Sequence, residues 1–191
     1  MRFQRFQVGI AFWLFSALSL SCVQHPIQGT DLRTGKLIEV GIGKRGFSKK
    51  GAVVVFLSAN CPCSRSHEPV IEKLSQEFPE FDFLAVHANQ DEPLEEAKAY
   101  FKTAQLTVPV IRDTGAQLAN ELKALKTPHA YVIGPQGQCW FEGGVDDTRN
   151  AQKAKEHYLR NALTAVRAGK EPAEKNVRTL GCVISRSGEV K

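Results

Sequence analysis

The uncharged run at residues 51–58 limits the possible folds of this chain more than any other feature of the sequence. It reads Gly-Ala-Val-Val-Val-Phe-Leu-Ser, and such a run is typical of a strand that is covered on both faces. Cys61 and Pro62 follow, and a proline suits the first turn of a helix because an N–H group there has no helical partner. Apolar residues then recur at helical spacing as far as Phe78. The sequence therefore predicts that a buried strand passes into a helix at Cys61.

Strands and helices alternate along the rest of the chain. The hydrophobic pattern predicts strands at residues 81–87, 108–112, 129–133 and 138–142, and helices at residues 93–104, 116–125 and 150–168. The last two strands are joined by Gly-Pro-Gln-Gly at residues 134–137, which is typical of a tight turn. Alternation that ends in a hairpin favours a single α/β domain with a central mixed sheet flanked by helices.

Composition and charge argue against a nucleic-acid-binding protein. The 191 residues are 42% hydrophobic, as expected for one domain with a buried core, and the formal net charge is +5. The basic residues are scattered, and no aromatic residues are interleaved with them as on a nucleic-acid platform. We therefore expect no nucleic-acid partner.

The first twenty residues have the layout of an export signal. Arg2 and Arg5 precede an uncharged, mostly apolar run at residues 8–20, and small residues lead to Cys22. The segment Leu-Ser-Leu-Ser-Cys at 18–22 resembles the lipobox of bacterial lipoproteins, although Ser19 stands where leucine is usual. This resemblance implies cleavage after residue 21 and lipidation of Cys22. Ordinary signal cleavage and an uncleaved anchor are the alternatives, so we expect an exported protein, either periplasmic or a membrane-anchored lipoprotein of the bacterial envelope.

The remaining chain divides into three parts. We predict a tether or N-terminal extension at residues 22–45 with a short strand at 37–40, the folded domain at 46–168, and a C-terminal tail at 169–191. In an oxidising compartment the four remaining cysteines are free to pair, and the sequence does not choose among their pairings. These cysteines are Cys61, Cys63, Cys139 and Cys182. We expect Cys139, which lies on a predicted strand, to be a core residue.

Cys61 is the candidate nucleophile. A cysteine on the first turn of a helix is close to the positive end of the helix dipole and to unpaired N–H groups, and both stabilise a thiolate. The sequence therefore predicts that the pKa of this thiol is lowered, which favours the reactive thiolate form.

Two separate segments resemble the thioredoxin superfamily. Phe-Leu-Ser-Ala-Asn-Cys-Pro-Cys-Ser at 56–64, with Pro69, is similar to the active-site strand, cysteine motif and helix proline of that family. Lys-Thr-Pro at 126–128 before the strand at 129–133 is similar to its cis-proline loop. The resemblance implies a thioredoxin-like fold in which Cys61 forms a mixed disulfide with a partner. It also implies substrate contacts at Asn60, Thr127 and a cis Pro128, protein thiols and disulfides of the envelope as partners, and no cofactor.

The chain departs from the thioredoxin pattern at the second cysteine. Ser64 stands where a Cys-x-x-Cys motif has its resolving thiol, and Cys63 is one residue early. A disulfide between Cys61 and Cys63 would close a very small ring that fits poorly on a helical turn. Val55 replaces the buried acidic residue of many thioredoxins, so no obvious proton acceptor lies beneath the site.

The tail offers another resolving thiol. Thr-Leu-Gly-Cys-Val-Ile at 179–184 resembles the C-terminal segment of a redoxin subgroup with a single active-site Cys-Pro, which also has an acidic pair like Asp146 and Asp147. The resemblance implies that Cys182 can pair with Cys61 or Cys63. A structural clamp or an inert thiol is the alternative role.

The favoured function is a thiol:disulfide oxidoreductase, with Cys61 as nucleophile and Cys63 or Cys182 as resolving thiol. One alternative is a peroxiredoxin-like peroxidase, because Ser58 precedes Cys61 by three residues as the hydroxyl residue of that family does. A second is a non-enzymatic Cu(I) chaperone of the Sco type that would use Cys61, Cys63 and His67 as soft ligands. A third is an interaction domain without catalytic activity. Whether the protein reduces, oxidises or isomerises depends on a potential that the sequence does not reveal.

Overall fold

A five-stranded mixed sheet forms the centre of the protein. The computed structural model describes residues 21–41 and 50–186. The strands of this sheet are β3 (Gly51–Leu57), β4 (Phe81–His87), β5 (Val110–Arg112), β7 (His129–Ile133) and β8 (Cys139–Gly143). Their order across the sheet is β5-β4-β3-β7-β8. Pairing is parallel between β3, β4 and β5 and antiparallel on the side of β7 and β8. The prediction of one α/β domain with a mixed sheet is confirmed.

Strand β3 is the central strand, and all seven of its residues are buried. Successive side chains of a strand point to opposite faces, so β3 contributes to two cores. Its odd-numbered residues from Val53 to Leu57 pack in one core with the helices at 62–77, 94–103 and 158–167. Its even-numbered residues pack in the other core with the helix at 117–121 and with Val23 and Ile27. This two-sided burial explains why the run contains no charge.

Four α-helices flank the sheet: α1 (Pro62–Glu77), α2 (Leu94–Thr103), α3 (Gln117–Glu121) and α4 (Tyr158–Arg167). Helix α1 begins at Pro62, as predicted. Helix α4 begins eight residues later than predicted, because local hydrogen bonds compete with the helix. The Asn150 side chain accepts from the Gln152 N–H in a short 3-10 turn, and the Asp147 carboxylate accepts from the Lys155 N–H.

The N-terminal segment is packed onto the domain and is not a tether. It forms an antiparallel hairpin of β1 (Ile27–Thr30) and β2 (Leu37–Val40), of which only the second strand was predicted. Val23 and Ile27 are buried in the second core. The Asp31 carboxylate accepts the backbone N–H groups of Arg33 and Val110 and so ties the hairpin to β5. The signal predicted for residues 1–21 lies, apart from Ser21, outside the described residues, and no helix within residues 21–41 and 50–186 is long and apolar enough to cross a membrane.

The C-terminal tail folds back across the domain. Its backbone pairs with Glu142 on β8, through Lys175 and Val177. It then forms β9 (Cys182–Val183), which pairs antiparallel with the short strand β6 (Lys126–Thr127) just before β7. Ile184 is fully buried in the second core. The tail therefore contacts the segment predicted to be the substrate loop.

Candidate active site

Cys61 lies where β3 passes into α1, as predicted. It is the N-cap residue of the helix, with extended backbone angles of φ −89° and ψ 114°, and Pro62 follows as the first helical residue. Its side chain is buried, with 1% of its surface exposed. The thiol donates to the carbonyl oxygen of Thr127 at 3.2 Å, so the loop that was predicted to bind substrate is in direct contact with the candidate nucleophile.

The peptide bond between Thr127 and Pro128 is cis, as the resemblance to thioredoxins implied. Thr127 belongs to β6 and is fully buried, and its hydroxyl has no hydrogen-bonding oxygen or nitrogen partner among the described residues. Asn60 is exposed at the turn before the helix, where its backbone N–H donates to the Ser58 hydroxyl. The structure therefore brings Thr127 and Pro128 to Cys61 and leaves the Asn60 side chain at the rim.

Three free thiols meet at this point. The sulfur atoms of Cys61, Cys63 and Cys182 all lie within 4.8 Å of one another. The pairing of β9 with β6 causes this approach, because its register sets Cys182 opposite Thr127. Residues that are more than a hundred positions apart in the sequence thus form one cluster of sulfur atoms.

The three thiols differ in acidity. Burial raises the pKa of Cys61, but interactions with the Cys182 thiol, with Thr127 and with the backbone N–H groups of Ser64 and Cys182 lower the pKa to about 7. Burial and the neighbouring Cys61 sulfur raise the pKa of Cys182 to about 12. Burial and the Cys61 charge also raise the pKa of Cys63. Cys61 is therefore the thiol that ionises first.

His67 does not join the sulfur cluster, so the copper ligand set of Cys61, Cys63 and His67 is not assembled. Its Nδ1 lies 2.7 Å from the Cys63 carbonyl oxygen and its Nε2 lies 2.9 Å from the Asp146 carboxylate, with both side chains buried. Burial lowers the pKa of His67, but the bonds to Asp146 and to the Cys63 carbonyl raise it by more. Asp146, noted in the sequence only as half of an acidic pair, holds this ring beneath the first turn of α1.

Glu92 is a site residue that the sequence analysis missed. It follows β4, and its carboxylate accepts from the Ser58 hydroxyl and, at 3.0 Å, from the Ala59 N–H. Burial raises its pKa. Glu92, Cys61 and Cys182 line one cavity of about 510 Å³. An acidic group is therefore present beside the sulfurs although Val55 is apolar, and only the path of the loop after β4 brings it there.

The Ser58 hydroxyl serves the turn that presents Cys61. It donates to Glu92 and accepts from the Asn60 N–H. These contacts show that the hydroxyl stabilises the turn before Cys61.

The remaining two cysteines are joined to each other. Cys22 forms a disulfide with Cys139, and Cys139 is partly exposed at the edge of the second core, so the expectation of a core cysteine was wrong. Lipidation of Cys22 needs the same sulfur atom, so the disulfide and a lipid anchor exclude each other on one molecule. Lipidation of Cys22 remains a prediction.

Comparison with known proteins agrees with this geometry. The sequence profile of a family described as thioredoxin-like matches residues 49–139, and no curated protein is significantly similar in sequence. An uncharacterized conserved protein from Geobacillus kaustophilus superposes with a TM-score of 0.74 at 21% identity, covering 91% of this chain and 96% of that one. A hypothetical protein from Sinorhizobium meliloti 1021 gives 0.74 at 20% identity, covering 91% and 97%.

A secreted Mycobacterium tuberculosis disulfide oxidoreductase homologous to E. coli DsbE gives a TM-score of 0.53 at 13% identity, covering 74% of this chain and 95% of that one. The first two matches extend further along this chain than the third. The mixed sheet, the cysteine at the start of α1 and the cis-proline loop, together with the profile matched over residues 49–139, show that the chain has a thioredoxin-like fold.

Proposed function

We propose that this protein is a thiol:disulfide oxidoreductase in which Cys61 is the nucleophile. The observation that carries the proposal is a buried cysteine at the start of a helix whose pKa is lowered to about 7, in contact with the loop before a cis proline. A thiolate, not a thiol, attacks disulfides. The disulfide oxidoreductase of Mycobacterium tuberculosis, which shares the fold, supports the same chemistry.

The reaction transfers two electrons through sulfur alone. The Cys61 thiolate attacks one sulfur of a substrate disulfide, which forms a mixed disulfide and releases the other substrate sulfur as a thiolate. A second protein thiol then loses its proton and attacks the Cys61 sulfur, which releases the remaining substrate thiolate. The protein is left with an internal disulfide, and the substrate is reduced. No cofactor is required, because the cysteines carry the electrons.

Cys182 is the resolving thiol in this proposal. The pairing of β9 with β6 holds it opposite Thr127, beside the loop that Cys61 contacts. Cys63 also lies within 4.8 Å, but a disulfide to Cys61 would have to close a very small ring at the helix start.

The proposed site of action is the bacterial envelope, in a periplasmic or lipid-anchored form. The charged start, apolar run and cysteine at residues 2–22 support export, as does the secreted protein from Mycobacterium tuberculosis. Thiols and disulfides of other exported proteins would be the partners.

Turnover of a small disulfide tests the proposal. The full chain, Cys61→Ser, Cys182→Ser and Cys63→Ser are each supplied with a dithiol and 2-hydroxyethyl disulfide, and thiol release is measured. Cys61→Ser should lose turnover. Cys182→Ser, given 2-hydroxyethyl disulfide without the dithiol, should accumulate a mixed disulfide at Cys61, because an external thiol would otherwise resolve it. Cys63→Ser is the matched control and should retain turnover. Unchanged turnover in Cys61→Ser would refute the proposal, and rapid Cys61-dependent consumption of hydrogen peroxide without disulfide turnover would favour a peroxidase.

A further inference from the structure

The tail occupies the place where an extended polypeptide would have to bind. An exposed strand edge recruits partners through backbone pairing, and the edge beside Cys61 is β6. In this protein β9 already pairs with β6, with Thr127 opposite Cys182 and Lys126 opposite Val183. Thr127 is fully buried as a result. A partner strand therefore has no free backbone to pair with next to Cys61.

The tail is closely fitted to this edge. A Cβ atom on Gly181 would lie 1.9 Å from the Thr127 carbonyl oxygen, so only glycine allows the tail to approach the loop this closely. Ile184 is fully buried, and its N–H donates to the Leu125 carbonyl oxygen at 3.0 Å. The Gln90 N–H donates to the Ser185 carbonyl oxygen at 2.9 Å. The strand is thus held on both sides of Cys182.

Cys61 is also less exposed to solvent than Cys182. Cys61 is 1% exposed, whereas Cys182 is partly exposed and its neighbour Val183 is 66% exposed. Cys61 is reached through the cavity of about 510 Å³ that it lines with Cys182 and Glu92. This space suits a low-molecular-weight disulfide and is too small for a folded chain.

We propose that polypeptide thiols exchange with this protein at the Cys182 sulfur, and that the tail restricts direct reaction at Cys61 to low-molecular-weight disulfides. This inference rests on the proposed function and on an internal disulfide between Cys61 and Cys182. A partner thiolate attacks the Cys182 sulfur and forms a mixed disulfide with it. The bond between Cys61 and Cys182 breaks, and its electron pair leaves on the Cys61 thiolate.

A second thiolate of the same partner completes the exchange. It attacks the partner sulfur of the mixed disulfide and releases Cys182, which takes up a proton from solvent. The partner dithiol is oxidised to a disulfide, and the protein returns to the dithiol form. A small disulfide then reoxidises Cys61 through the cavity, so polypeptide dithiols supply the electrons and small disulfides accept them.

Leaving-group chemistry agrees with the steric argument. A disulfide breaks faster when the departing thiol has the lower pKa. Attack at Cys182 expels Cys61, whose pKa is lowered by Thr127 and by the backbone N–H groups of Ser64 and Cys182, and these groups remain when the Cys182 sulfur is in the mixed disulfide. Attack at Cys61 expels Cys182, whose pKa is raised by burial. Access and leaving-group ability therefore select the same sulfur.

Mapping of the mixed disulfide tests the proposal directly. The full chain with Cys63→Ser is oxidised, mixed with a twelve-residue peptide that carries one cysteine, and quenched in acid before the adduct can rearrange. Mass spectrometry should find the peptide on Cys182 and a free thiol at Cys61. The peptide on Cys61 would overturn the inference and leave the proposed function intact. If no disulfide forms between Cys61 and Cys182, or if no peptide adduct forms, the inference and the proposed function are both overturned.

A second experiment measures the restriction by the tail. In a reduced Cys182→Ser background, the reaction of Cys61 is timed with 2-hydroxyethyl disulfide and with a disulfide-linked polypeptide. Removing the buried anchor by Ile184→Ala should speed the polypeptide reaction by about 30-fold, the lower end expected for truncating a buried isoleucine. The small disulfide should react at nearly the same rate, and Val183→Ala, on the same strand but exposed, is the matched control.

Two results of this experiment would contradict the inference. One is a polypeptide that reacts as fast as the small disulfide when the tail is intact, and the other is an Ile184→Ala variant that leaves the polypeptide rate unchanged. Circular dichroism checks that each variant is folded. If Ile184→Ala does not fold, Gly181→Ala displaces the tail at the Thr127 carbonyl while leaving the buried isoleucine in place, and the same rates are expected.

Discussion

The acidity of Cys61 should depend on a hydrogen bond from a residue of the tail. Burial raises its pKa, and the thiol of Cys182 is the largest of the influences that lower it, to about 7. A hydrogen bond to a charged group contributes about 1.5 to 3 kcal/mol, which corresponds to roughly one to two pKa units. Replacing Cys182 with alanine removes the donor and should raise the pKa of Cys61 by that amount. Replacing it with serine keeps a donor and should leave the pKa near 7.

The pH midpoint of alkylation is the appropriate measurement. A rise of one unit lowers the thiolate fraction at pH 7 from about a half to about a tenth. The remaining thiolate is more nucleophilic by roughly threefold, because nucleophilicity increases with pKa with a coefficient of about 0.4 to 0.5. The rate at pH 7 therefore changes little, and loss of the Cys182 side chain also alters access. The midpoint of the rate against pH is insensitive to access and reports the pKa alone.

Iodoacetamide labelling of Cys61 between pH 5 and 10, followed by mass spectrometry in a Cys63→Ser background, gives this midpoint. The alanine variant should titrate about one to two units above the serine variant. If both variants titrate near pH 7, the tail does not set the acidity of Cys61. In that case the N–H groups at the start of α1 would be sufficient.

Three further predictions concern groups around the site. Asp146→Asn breaks a buried pair with His67 and should lower the free energy of unfolding by about 3 to 5 kcal/mol in urea titrations. Because folding raises the pKa of His67, the stability from this pair is fully present below about pH 6.5 and is lost as the pH rises through the folded pKa. An Asp146→Asn variant whose stability depends on pH as that of the parent does would contradict this. Glu92→Gln removes a carboxyl whose pKa is raised by folding. The parent should lose stability as the pH rises above about 4.5, and the variant should lose less. Equal slopes of unfolding free energy against pH in the two proteins would exclude the effect. Cys139→Ser removes the disulfide to Cys22, whose sequence separation is 117, and should lower the unfolding free energy of the unlipidated chain by about 2 to 5 kcal/mol. If a reductant does not change the unfolding free energy of the parent, the bond does not form.

The sequence predicted the strand and the helix between which Cys61, the candidate nucleophile, lies. The run at residues 51–57 is short, rich in β-branched residues and uncharged, which is typical of a strand covered on both faces. Pro62 is compatible with the first turn of a helix and with few other positions in one. Both constraints act within a few residues, and for this reason the position of Cys61 at the start of α1 could be predicted.

Sequence patterns did not predict the start of α4, where side chains bind the backbone of a local turn. They also did not predict the burial of the N-terminal hairpin, which depends on packing against the rest of the domain. The pattern at residues 150–168 has helical periodicity, yet Asn150 and Asp147 bind backbone N–H groups and delay α4 to Tyr158. The extension before β3 has weak periodicity, and its hairpin is buried because the second core offers it an apolar surface. Hydrophobic periodicity does not reveal either effect, since the first depends on polar side chains that bind nearby backbone groups and the second on an apolar surface that other segments form.

The sequence by itself determined that Cys61, the candidate nucleophile, lies at the start of a helix, because that position depends on short-range backbone preferences. The loop before Pro128 was predicted from the resemblance to thioredoxins. Only the tertiary structure decided which groups surround that sulfur. Cys182, Glu92 and Asp146 come from three different segments, and their approach is set by the pairing of β9 with β6, the loop after β4 and the turn after β8. Contacts of this kind arise from the packing of whole elements, so no local pattern in the sequence encodes them.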